Sequence, residues 1–166
     1  MLYRFVAYIK FNFTATNQHG VHSPFIYNFV TKCLYSKGFK GPKTAVLLLK
    51  CIKYFQAKSL YDASRDMYVQ KQVKKNFPKI KLNKHPCDCI FLDCQNTEVF
   101  DGVLKDNLFH NNTVMLVNNI HHNRENMKIW RTMKENDKVT VSVDMFYCGA
   151  LFFRKEQVKE HFKIRI

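Results

Sequence analysis

Several groups of side chains in this sequence have the types and spacing to do chemistry. His121 and His122 follow the apolar run Thr113-Val114-Met115-Leu116-Val117-Asn118. An imidazole at a strand end can act as a general base, here near Asp93, which closes the run 88–93. A histidine pair at such a place serves equally as a surface or capping feature. His85, Cys87, Cys89 and Cys94 offer soft ligands for zinc. Against that reading, Cys87 and Cys89 lie on or beside a strand of buried type, and no second ligand pair has finger-like spacing. Lys71, Lys74, Lys75, Lys79, Lys81 and Lys84 place six positive charges in fourteen residues. The first three share one helical face by their i, i+3, i+4 spacing. Together with Lys43, Lys50, Lys53 and Lys58 they form a phosphate-binding surface or a solvated face, and Tyr54, Tyr61 and Tyr68 could stack on bases. His19 and His22 flank a turn and are expected to help dock the N-terminal helices.

The charge is unevenly placed. Of the net +14, all resides in residues 1–84, which hold sixteen basic and two acidic residues; residues 85–166 hold eleven of each. The first acid is Asp62. This asymmetry points to a polyanionic partner, RNA or an anionic membrane surface, acting through residues 1–84. With 166 residues, 46% of them hydrophobic, the chain suits one folded domain, and disorder and coiled coil are excluded. Six cysteines inside apolar runs read as free buried thiols of a reducing compartment. Lys10 interrupts the N-terminal apolar stretch, and no run approaches the ~20 apolar residues of a membrane span, so a cytoplasmic protein is expected.

The elements that must position these groups follow from periodicity. Leu2, Phe5, Ile9 and Phe13 recur at helical spacing over 2–13. Ser23-Pro24 reads as an N-cap followed by proline at the first helical position, starting a helix to about 36. Lys43 to Phe55 forms a third helix. From residue 58 strands and helices alternate: strand 59–62, helix 66–77, a minimal strand 79–82, the buried strand 88–93, helix 97–109, strand 113–118 and helix 124–135. An antiparallel hairpin, 139–145 with 150–154, closes the chain. Residues 1–57 therefore read as a basic helical extension on an α/β unit of 58–166, and the alternation predicts a three-layer α/β sandwich.

Asn17-Gln18-His19-Gly20-Val21-His22-Ser23-Pro24-Phe25 resembles the N-terminal HGVHSPF signature of a bacterial family of S-adenosylmethionine-dependent methyltransferases related to O-methyltransferases. DCIFLD (88–93) is similar to the family's fourth-strand motif. VMLVNNIHHNRENMKIW (114–130) resembles its fifth strand and following helix, and residues 139–165 resemble its closing hairpin and tail. The likeness covers most of the chain outside about 62–85. It implies a Rossmann-like methyltransferase sandwich whose last strand inserts antiparallel. It also implies a cofactor turn at Asp62, Ala63 and Ser64, and a divalent cation at Asp93, Asn118 and Asn119.

The departures from that pattern carry the functional expectation. The family shows glycine at about Ala63, yet no glycine occurs between Gly41 and Gly102. Only 25 residues, 63–87, separate the first strand from DCIFLD, too few for two strand–helix units. A sheet of fewer than seven strands is expected, reduced on that side, with the hairpin at the far edge. Asn118-Asn119 stands where the family carries an acidic pair, and Asn96 where it usually carries a histidine, so hard-cation binding loses two charges. The expectation is a degenerate methyltransferase-fold protein with no cofactor, acting as a basic binding or structural protein. The alternative is an active O-methyltransferase using S-adenosylmethionine and a divalent cation, with Asp93 and His121 as catalytic residues.

Overall fold

Strand β3, Cys87–Asp93, shows how the sheet is built. Its side chains alternate between two apolar environments, Cys89 and Phe91 on one face and Ile90 and Leu92 on the other. A strand buried on both faces must lie inside a parallel sheet with helices on each side. The computed structural model, which describes residues 2–166, has that arrangement. Seven strands run in the order β2-β1-β3-β4-β6-β5-β7. They are β1 Ser59–Asp62, β2 Lys81–Leu82, β3, β4 Phe109–Asn118, β5 Val141–Asp144, β6 Cys148–Phe152 and β7 Glu160–Lys163. β6 is antiparallel to both of its neighbours; every other pairing is parallel.

The helices are α1 Leu2–Thr14, α2 Pro24–Asn28, α3 Lys43–Tyr54, α4 Met67–Asn76, α5 Thr97–Lys105 and α6 Arg124–Glu135. α2 runs on into a π-helix, Phe29–Leu34, which turns Phe29, Val30, Cys33 and Leu34 onto the core. The α2–α4 side chains share one core with Leu60, Phe91, Leu116 and Phe152. Those of α5 and α6 share another with Ile90, Met115 and Leu151. The caps are local. Ser23 Oγ accepts from the Ile26 amide at 3.4 Å, Asp66 caps α4, and Asn123 Oδ1 accepts from the Asn126 amide at 2.8 Å.

The expected sheet of fewer than seven strands is corrected: there are seven. The seventh is β7, whose alternating half-buried and exposed residues, Glu-His-Phe-Lys, give no apolar run. β7 also displaces the hairpin from the far edge, pairing with β5 from Val141↔Glu160 to Asp144↔Lys163. On the other side only the two-residue β2 lies beyond β1. Helix α5 ends at Lys105, and β4 begins at Phe109 rather than 113. His19 and His22 are exposed; Val21 and Ile26 do the docking. No helix among the described residues is long and apolar enough to cross a membrane.

Candidate functional site

The turn after β1 is built without glycine by a relay of side chains. Asp62 Oδ1 accepts from the Ser64 amide at 3.0 Å and from the Ser64 hydroxyl at 2.7 Å. Ser64 Oγ in turn accepts from the Asp66 amide at 3.2 Å. Asp66 Oδ1 then accepts from the amides of Tyr68 at 2.9 Å and Val69 at 3.3 Å. The Ala63 amide donates to the Phe91 carbonyl of β3 at 2.8 Å. Arg65 takes the one left-handed conformation in the turn, with φ 57°. The amides of residues 63, 64 and 66 are thus all used within the chain. Asp62 Oδ2 is buried with no partner.

A cleft of about 710 Å³ opens beside this turn, walled by Asp62, Arg65, Asn83, Asp93, Asn96 and Glu98. It lies at the C-terminal ends of β1 and β3, adjacent parallel strands whose following helices pack on opposite faces. Open α/β sheets hold their ligands at this kind of crevice. Asn96 Nδ2 donates to the Ala63 carbonyl at 3.0 Å and ties its two sides together.

Asp93, Asn118 and Asn119 lie together, as the sequence places them, but Asn119 faces Asp93 as a donor. Its Nδ2 is 2.6 Å from Asp93 Oδ2, and Asp93 Oδ1 accepts from the Gln95 amide at 3.2 Å. Asn119 is held in that pose by a left-handed φ of 62° and by Asn126 Nδ2 donating to its carbonyl at 2.8 Å. A hard cation needs oxygen ligands. At Asp93 it would meet amide hydrogens instead, so these residues as arranged do not fit one. Among the described residues no group of three or more His, Cys, Asp or Glu side chains is placed to hold a metal ion.

His121 is not paired with Asp93. It is 5% exposed, and its Nε2 lies 2.8 Å from Asp144 Oδ2 at the end of β5. A carboxylate only accepts, so Nε2 carries the proton. The ring stacks on Phe146 at 4.7 Å and meets Phe11 edge-on at 5.7 Å, and Nδ1 is buried without a partner. Asp144 Oδ1 also accepts from the Phe146 amide at 2.9 Å. Sequence reasoning missed Asp144, although an acid inside the apolar run Val139–Phe146 was a signal for it. His122 is exposed.

The zinc reading also fails on geometry. Cys87 and Cys89 point to opposite faces of the sheet, because residues two apart around a register shift enter different cores. Burial pushes the Cys87 thiol up to about 11 and Cys94 up to about 12, away from the thiolate form a metal requires.

The lysine cluster divides. Lys71, Lys74 and Lys75 are exposed on α4 opposite the buried Val69 and Val73, and Lys79, Lys81 and Lys84 are exposed on and around β2. Lys50 is engaged, its ammonium donating to the Leu34 carbonyl at 2.6 Å, and Lys43 sits 4.3 Å from the Tyr147 ring centre. Of the three tyrosines proposed to stack on bases only Tyr68 is exposed; Tyr54 packs on Phe55 and Tyr61 on His85. Comparison with protein-family models, curated proteins and solved structures finds no match to this chain.

Proposed function

We propose that this chain is a methyltransferase-fold protein that no longer uses S-adenosylmethionine and works as a basic binding protein, holding RNA on the surface formed by residues 1–84. The observation that carries the binding is the state of six lysines. Lys71, Lys74, Lys75, Lys79, Lys81 and Lys84 are exposed, and none joins an ion pair among the described residues. Unpaired surface ammonium groups are free to neutralise phosphates and release counterions.

The antiparallel β6 between β4 and β5 supports the methyltransferase-like architecture. The closed turn supports loss of the cofactor. Binding the amino-acid end of S-adenosylmethionine calls for free amides and close backbone approach after β1. Here Asp62, Ser64 and Asp66 occupy those amides, and Ala63 brings a Cβ. One observation favours the alternative, an O-methyltransferase with a non-standard loop: the cleft at Asp62 and Asp93 has room for a nucleoside.

Titration calorimetry with S-adenosylmethionine separates the two. No binding tighter than about 100 μM is expected; a tighter constant, more than roughly 5 kcal/mol of specific interaction, overturns the loss of cofactor. For RNA, affinity against salt is the measurement. Each phosphate contact contributes about −0.7 to the log–log slope on a single strand. Replacing Lys71, Lys74, Lys75 and Lys79 with Gln flattens it by about 3 units. Replacing Lys128, Lys134, Lys138 and Lys155 leaves it nearly unchanged, since that half of the chain is neutral overall. Equal effects from the two sets would refute the surface.

A further inference from the structure

Helix α1 carries two apolar stripes. Tyr3, Ala7 and Phe11, four residues apart, and Ala15 just past the end of the helix turn inward, with Phe11 5% exposed against Phe146 and His121. Leu2, Phe5, Ile9 and Phe13 form the opposite stripe and are 77%, 62%, 40% and 87% exposed, with Val6 beside them at 42%. A helix in water does not ordinarily present a continuous row of large apolar side chains without something to cover it.

Cations flank this stripe. Between α1, α6 and β7 lies a cavity of about 490 Å³ reached by Lys10, Arg124, Arg131 and Lys163. No carboxylate lines it, and none of the four cations is in an ion pair among the described residues. The buried His121, whose Nδ1 has no partner, forms part of its wall. On the other flank Arg4 lies 5.7 Å from the Tyr147 ring centre. α1 itself contains no acid.

We propose that α1 docks this protein onto an anionic phospholipid bilayer. Phe5, Ile9 and Phe13 enter the boundary between headgroups and acyl chains, and headgroup phosphates are received by Lys10, Arg124, Arg131 and Lys163. An apolar helix face bordered by Arg and Lys is the form that lies in a membrane interface, and each such cation is drawn to anionic lipid. Charge selects the bilayer over a second copy of the chain. A two-fold pairing through α1 would set the same cationic rims against each other.

The test is flotation of the full chain with vesicles of phosphatidylcholine alone and with about 30% phosphatidylserine. The protein floats with the anionic vesicles and binds the neutral ones at least roughly tenfold more weakly. Phe5→Ser with Phe13→Ser, both exposed and without effect on circular dichroism, lowers partitioning at least roughly tenfold, and Arg124→Gln with Arg131→Gln lowers it several-fold. The variant carrying Gln at 71, 74, 75 and 79 retains vesicle binding while losing its RNA salt slope, so this docking and the RNA surface fail separately. Absence of flotation, or flotation unchanged by the Phe5/Phe13 substitutions, overturns the proposal. So does a dimer in sedimentation equilibrium that those substitutions disperse, which would make a second copy the occupant.

Discussion

Replacing Gly149 with Ala tests the packing of α6 on the sheet. Gly149 is the second residue of β6, opposite Val117 on β4 and Asp144 on β5. A Cβ at this position would lie 2.6 Å from Cζ3 and 2.8 Å from Cζ2 of Trp130, inside the distance real Cβ contacts keep. Trp130 is 2% exposed and Met133 on the same helix 1%, so the indole cannot withdraw without moving α6. Overpacking of this kind costs about 1–3 kcal/mol. The lower entropy of an unfolded chain with Ala offsets about 0.4–1 kcal/mol of it. A net loss of about 1–2 kcal/mol lowers Tm by roughly 2–8 °C for a domain of this size. Trp130 is the sole tryptophan, so its emission reports the displacement directly while calorimetry reads the melt. In a Trp130→Phe background, which shortens the ring, Gly149→Ala should cost much less, a coupling of about 1 kcal/mol. A Tm unchanged within about 1 °C, with the same emission and no coupling, would refute the reasoning.

Asp144→Ala leaves His121 Nε2 and the Phe146 amide buried without acceptors; a loss of about 2–4 kcal/mol is expected as a lower urea midpoint with unchanged slope. Burial raises the Asp88 carboxyl, but the amides of Lys58 and Ser59, the Ser59 hydroxyl and His110 outweigh it and hold it below the usual range. Its contribution to stability is therefore complete above the ordinary aspartate pKa and is lost as pH falls through the lower folded value; Asp88→Asn should reduce that acid dependence in melts from pH 5 to 2. All six thiols are free and buried, and burial raises Cys87, Cys89, Cys94 and Cys148, so iodoacetamide at about pH 8 should label none in the native protein and all six in urea, read by mass spectrometry.

Where one signal dominated, the sequence was legible. The cores of β3 and β4, residues 89–92 and 114–117, are unbroken apolar runs, and Ser23-Pro24 marks a helix start that the structure caps as expected. β7 was invisible because its edge position buries no residue fully, and Phe162 is its one apolar side chain among polar ones. In the first residues of β4 the polar His110, Asn111 and Asn112 follow Phe109, so Phe109 reads as the end of the preceding helix and the other three as loop. In α1 both stripes satisfy the helical period, and the period alone cannot say which one faces the core. At the crevice the missing glycine was legible, whereas the Asp62–Ser64–Asp66 relay that replaces it required coordinates. Asp93 and Asn119 were correctly brought together, but only the geometry shows the amide donating. His121 found Asp144 because β6 inserts between β4 and β5, a long-range pairing no local pattern encodes.

The junction of α1 with the far edge of the sheet bears on how the chain acquires its structure. Thr16 bridges Ile164 beside β7, its amide donating to the Lys163 carbonyl at 2.9 Å, and Lys163 reaches Thr14 across 149 residues of sequence. A ribosome delivers α1 long before it delivers Phe146, Lys163 and Ile164. The inward stripe of α1 therefore waits without its partners until the closing strands are made, and closing so long a loop is a slow, late step. During that wait the segment is apolar on both sides of its helical period, a surface of the kind that a chaperone or a lipid bilayer covers while the remainder of the sheet is still being made.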